Sequence, residues 1–138
     1  MYKKIMVAVD GSETAKQALV EAENIANIYN ATLCIVHSIV TDTDAEAEKK
    51  RGVDILEQAS TSVDALSLET RLLEADSEYG LNGIAEAIAT ATNDWGADLL
   101  VVGTSHRQGL ERLFIGSVAE QLITKVNSSI LLVRPSEE

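Results

Sequence analysis

The stretch Ser67-Leu68-Glu69-Thr70-Arg71-Leu72-Leu73 alternates polar with apolar residues, while four other runs of strand length are nearly continuous hydrocarbon: Ile5 to Val9, Ala31 to Val36, Leu99 to Val102 and Ile130 to Val133. Unbroken Val/Ile/Leu runs suit strands buried on both faces of a parallel sheet, and alternation suits a strand with one wetter face. The segment from about Leu66 to Leu73 is therefore expected at a sheet edge. Helical stripes separate the runs. Ala15, Ala18, Leu19, Ala22, Ile25, Ala26 and Tyr29 form one, Leu56, Ala59, Val63 and Leu66 a second, and Ile84, Ile88, Ala91 and Trp95 a third. A fourth helix is expected to begin at Ser117, which with Glu120 makes a capping-box pattern ahead of Val118, Leu122, Ile123 and Val126. Five strands alternating with four helices imply right-handed βαβ crossovers, that is, an α/β fold with a doubly wound parallel sheet and helices on both faces. The charged segment Thr41 to Arg51, with Thr43 and Glu46 in capping-box spacing, is expected to be a solvated loop feeding the second helix.

Composition bounds the molecule. At 138 residues and 46% hydrophobic content, residues 1–138 suffice for one domain with a real core. A formal charge of −11 disfavours nucleic acid and anionic membranes as partners. Cys34 is the only cysteine and sits in an apolar run, so it is expected to pack as a small hydrophobe in a reducing, cytoplasmic setting. The opening Met1-Tyr2-Lys3-Lys4 leads directly into strand-like sequence, and no long apolar stretch suggests export or membrane insertion.

The stretch Val101-Val102-Gly103-Thr104-Ser105-His106-Arg107-Gln108-Gly109, continuing to Gly116-Ser117-Val118-Ala119-Glu120, reads as strand, glycine-punctuated loop and helix. Such a junction brings backbone N–H groups and the positive end of a helix dipole together, which is what a phosphate needs. The same residues also serve as simple turns and a cap. Arg107 and Arg112 make the loop locally basic in an acidic chain, and equally suit a solvated surface. In an open α/β sheet, ligands settle outside the carboxyl ends of the strands where strand order reverses. The first strand ends at Asp10-Gly11-Ser12, where a carboxylate can accept ribose hydroxyls or hold Mg²⁺ through water, or merely help to start a helix. No Gly-Lys-Ser/Thr, no GxGxxG and no GxSxG is present, and His37 and His106 are too few for a metal cluster. No catalytic nucleophile with its base is visible, so any hydrolysis would rest on positioning.

These residues resemble the universal stress protein family, whose ATP-binding members combine a strand-end aspartate with a G-x2-G-x9-G-(S/T) loop and a Val-Ala/Thr-Glu helix start. Gly103, Gly116 and Ser117 fall on the first, third and fourth motif positions and Asp10 on the aspartate, and the likeness covers essentially all 138 residues. It implies a five-stranded Rossmann-like sheet of order 3-2-1-4-5, with ATP and Mg²⁺ at the switch point. It also implies Ala8, Val9, Asp10 and Ser38 beside adenine and ribose, and Val102, Gly103, Ser117 and Val118 along ribose and phosphates. His106, Arg107, Gly109 and Gly116 of the loop complete the implied set. His106 stands where the second motif glycine is usual, Ser38 where valine is usual, and Ser129 where the last strand usually has proline. That last strand, residues 129–134, commonly pairs with its symmetry mate, so a homodimer is implied. Two other readings use the same residues. A phosphorelay receiver would take Asp10, Asp76, Thr104 and Arg134-Pro135, with its first and third strands adjacent. A nucleotide-free dimerising adaptor would take the fold alone, with His106 its best support.

Overall fold

A computed structural model describes residues 1–41, 45–104 and 117–134, apart from the side chains of Ser77 and Leu81. The elements run β1 (Lys4–Ala8), α1 (Glu13–Tyr29), β2 (Thr32–Thr41), α2 (Ala45–Thr61), β3 (Ser67–Asp76), a 3₁₀ turn (Ser77–Tyr79), α3 (Leu81–Trp95), β4 (Leu99–Gly103), α4 (Ser117–Lys125) and β5 (Ser129–Val133). All strand pairs are parallel, in the order β3-β2-β1-β4-β5. The alternating third strand is thus at an edge, as its wet face requires. The receiver reading falls, because β1 lies between β2 and β4 and never touches β3.

Period-two geometry divides the core into two layers. Ile5, Val7, Leu33, Ile35, Leu99 and Val101 face α1 and α2, where Ala18, Leu19 and Ala22 pack on them. Met6, Cys34, Val36, Leu100 and Val102 face α3 and α4, against Ile88, Trp95, Ala119 and Leu122. Cys34 packs as the small hydrophobe expected, and burial pushes its thiol up to about 11 despite the opposing influence of Arg71.

Several boundaries differ from the sequence reading. β2 continues past Val36 to Thr41 and β3 past Leu73 to Asp76, in register throughout from Thr32–Ser67 to Thr41–Asp76. Polar residues such as His37, Ser38 and Glu74 hide this extension from a search for apolar runs. The described residues of the segment Thr41 to Arg51 are not loop: Thr41 closes β2, and α2 is already under way at Ala45. Ala45, Glu46, Lys49 and Lys50 are strong helix formers, and only Gly52 and Leu56 of α2 are buried, so a solvated helix looks like a solvated loop. Thr43 lies outside the described residues. Val63 and Leu66 fall beyond the end of α2, with Leu66 80% exposed, and Ile123 of α4 is exposed while Ala119 and Leu122 bury.

Candidate functional site

The strand order reverses at β1, whose neighbours β2 and β4 are followed by connections on opposite faces. The carboxyl end of β1 is therefore the switch point. Val9 N–H still donates to the Val36 carbonyl at 2.9 Å, and then the chain turns away through Asp10, Gly11 and Ser12. Gly11 supplies φ +86°, which side chains rarely adopt. The Asp10 Oδ1 accepts from Ser12 N–H at 3.0 Å, and the Ser12 Oγ accepts from Ala15 N–H at 3.2 Å as the N-cap of α1. Helix-starting chemistry is therefore present at this turn. The second carboxylate oxygen of Asp10 has no partner among the described residues, and the residue is exposed at the crevice.

Across the crevice, β4 delivers Val102, buried, and Gly103. A Cβ on Gly103 would come within 2.6 Å of Thr14 Cγ2 and 3.1 Å of the Thr14 carbonyl oxygen. The first turn of α1 thus lies directly against the end of β4, and glycine is the residue that permits it. This packing role was not part of the phosphate-loop reading of Gly103. Thr104 follows, with its N–H donated to the Val133 carbonyl at 2.9 Å, so β5 holds the end of β4. His106, Arg107, Gly109, Arg112 and Gly116 lie outside the described residues. Beyond them α4 begins at Ser117, which is exposed, with Val118 half-buried on the α3/α4 layer.

On the β2 side, extending the β1–β2 register by two residues brings Ser38 level with Asp10. The Ser38 Oγ is buried and has no hydrogen-bond partner among the described residues. An unpaired buried hydroxyl costs about 1–3 kcal/mol, so a partner brought by a ligand has something to gain there. Beside it His37, 8% exposed on the opposite face, places Nδ1 2.7 Å from the Val9 carbonyl oxygen. The sequence reading missed this residue except as a metal ligand too few, and no hydropathy signal marks it. Among the described residues no cluster of three His, Cys, Asp or Glu could hold a metal, and no helix is long and apolar enough to cross a membrane. A separate cleft of about 390 Å³ runs between α1 and α2, floored by Val9, Ala15 and Leu19 and walled by Ile55 and Ala59, on the other side of the β1–α1 turn from β4.

The model of the universal stress protein family matches residues 1–134. The chain belongs to the universal stress protein family. A putative universal stress protein of Staphylococcus saprophyticus is 34% identical, over 99% of this chain and 86% of the relative. Among solved structures, a universal stress protein in complex with cAMP superposes with a TM-score of 0.78 at 23% identity, covering 98% of this chain and 99% of that one. The Archaeoglobus fulgidus universal stress protein in complex with dAMP gives 0.69 at 24%, covering 96% and 98%. The strand order expected from the family motif is the observed one.

Proposed function

We propose that this universal stress protein is a regulatory module that binds an adenine nucleotide, ATP in the first place, at the carboxyl end of β1. The observation that carries the reading is Ser38: a buried, unpartnered hydroxyl at the topological switch point, level with the Asp10 carboxylate. Val9 and Ser38 would meet the base, with Ala8 beneath it. Asp10 would take the ribose hydroxyls or, through water, a Mg²⁺ whose remaining ligands are phosphate oxygens and water, because one carboxylate suffices for that arrangement. Val102 and Gly103 would line the ribose. The loop residues His106, Arg107, Gly109 and Gly116, together with Ser117 and Val118 at the start of α4, would take the phosphates. That two solved family members hold cyclic AMP and deoxy-AMP supports an adenylate ligand. No pair of groups at the described part of the site looks like a nucleophile with its base, so the reading is binding, with hydrolysis slow at most.

The same reading places the protein in the cytoplasm, in keeping with its lone buried cysteine, and pairs two copies along β5, which is an edge strand. Sedimentation equilibrium reporting the mass of one chain at working concentration would remove the pairing. Calorimetric titration with ATP, with and without Mg²⁺, tests the binding. The expected dissociation constant is about tens of micromolar or tighter, weakened about tenfold by Asp10→Ala. Absence of heat with ATP, ADP, AMP and cyclic AMP alike would exclude it.

A further inference from the structure

The β1–β2 register makes a demand on Ser38 that the protein does not meet. Even-numbered residues of β2 turn their backbone groups toward β1: Thr32 N–H donates to the Lys3 carbonyl at 2.9 Å, and the Val36 carbonyl accepts from Val9 N–H at 2.9 Å. In a parallel ladder the next bond would run from Ser38 N–H to the Val9 carbonyl. Pairing stops one step short, at Ala8–Val36, and Val9 lies outside β1. The Val9 carbonyl accepts instead from the His37 ring, whose Nδ1 lies 2.7 Å away. A carbonyl oxygen only accepts, so the ring nitrogen facing it carries the proton. The ring has little room to turn away. A Cβ at Gly52 of α2 would lie 3.2 Å from His37 Cδ2, so the α2 backbone passes directly over the imidazole.

We infer that His37 is a positioning residue of the nucleotide site: its Nδ1–H occupies the Val9 carbonyl in place of the Ser38 amide, ends the β1–β2 ladder early and reserves the Ser38 N–H for a ligand. Ser38 then has a backbone donor left over on its β1 side as well as an unpartnered, buried hydroxyl. A donor so placed suits a ligand that brings a bare ring nitrogen, as a purine base does. The inference deepens the adenine-nucleotide reading and rests on it only for the identity of the ligand.

Amide hydrogen exchange followed by NMR tests it on the whole chain without nucleotide. The Ser38 amide of the wild type exchanges about a hundredfold faster than that of Val9, whose bond to Val36 is in place. His37→Leu slows Ser38 exchange about tenfold or more, because the ladder closes onto the vacated carbonyl. His37→Asn, whose side-chain amide nitrogen replaces Nδ1, keeps the wild-type pattern. Saturating ATP then protects Ser38 in the wild type and in His37→Asn, and His37→Leu binds ATP about tenfold more weakly. A Ser38 amide as slow as Val9 in the wild type overturns the inference without recourse to any variant. So does His37→Leu, if folded, with Ser38 exchange and ATP affinity unchanged. Should ATP give calorimetric heat yet leave the fast Ser38 amide of the wild type untouched, the inference falls; should no nucleotide give heat, the nucleotide reading falls while the part played by His37 is decided by the nucleotide-free comparison.

Discussion

Gly103 illustrates how one residue can be marked by sequence for one reason and held by structure for another. Its place after an apolar run suggested backbone access for phosphate, yet the nearest matter is Thr14 of α1, which a methyl group would meet at 2.6 Å. Gly103→Ala therefore forces the first turn of α1 off the end of β4. The expected loss is about 1–3 kcal/mol of stability, read from urea unfolding. The Asp10 turn, carried by the same helix start, shifts with it, so under the proposed function ATP affinity falls in parallel. Asp10 was legible because the apolar run Ile5 to Val9 stops directly before it, and Ser12 because capping serines follow a simple rule. His37 was not legible. Its role depends on which carbonyl lies within reach of its ring, and that is set by the register between β2 and the neighbouring β1.

At the scale of elements, apolar runs disclosed four of the described strands and alternation the fifth, while apolar stripes, with a capping box for α4, disclosed the described α-helices, but ends were lost wherever polar residues are buried or helices are wet. The second half of β2 carries His37 and Ser38 inside the sheet, which hydropathy scores as loop. The opening turns of α2 are mostly charged and score the same way. The start of the sheet has its own fastening. Asp98, just before β4, accepts Lys3 N–H at 2.8 Å and Lys4 N–H at 2.9 Å, and those backbone donors hold its carboxyl below the usual carboxylate range. A depressed folded-state value means stability that is present above the unfolded carboxylate value and lost as pH falls through the folded one. Asp98→Asn should thus lower the urea midpoint at neutral pH, and the gap to wild type should close as the solution is acidified. A gap of the same size at every pH would mean that the ionised carboxylate is not the fastening.

For the whole molecule, the wet third strand was the decisive clue, since it placed β3 at an edge and separated this sheet from the receiver arrangement. The charge of −11 narrows the ligand problem further, because an anion approaching such a surface meets repulsion except at helix starts. The division of the interior by the sheet has a consequence for anyone redesigning the protein. Ile5 and Leu122 are both fully buried, but in different layers with strand backbone between them. A double-mutant cycle of Ile5→Val and Leu122→Ala should return the sum of its single losses to within about 0.5 kcal/mol. A larger discrepancy would reveal that the sheet transmits strain between its faces. With additive behaviour, one half of the interior can be reworked for thermal robustness while the other keeps its original residues, two independent design problems in a single small fold.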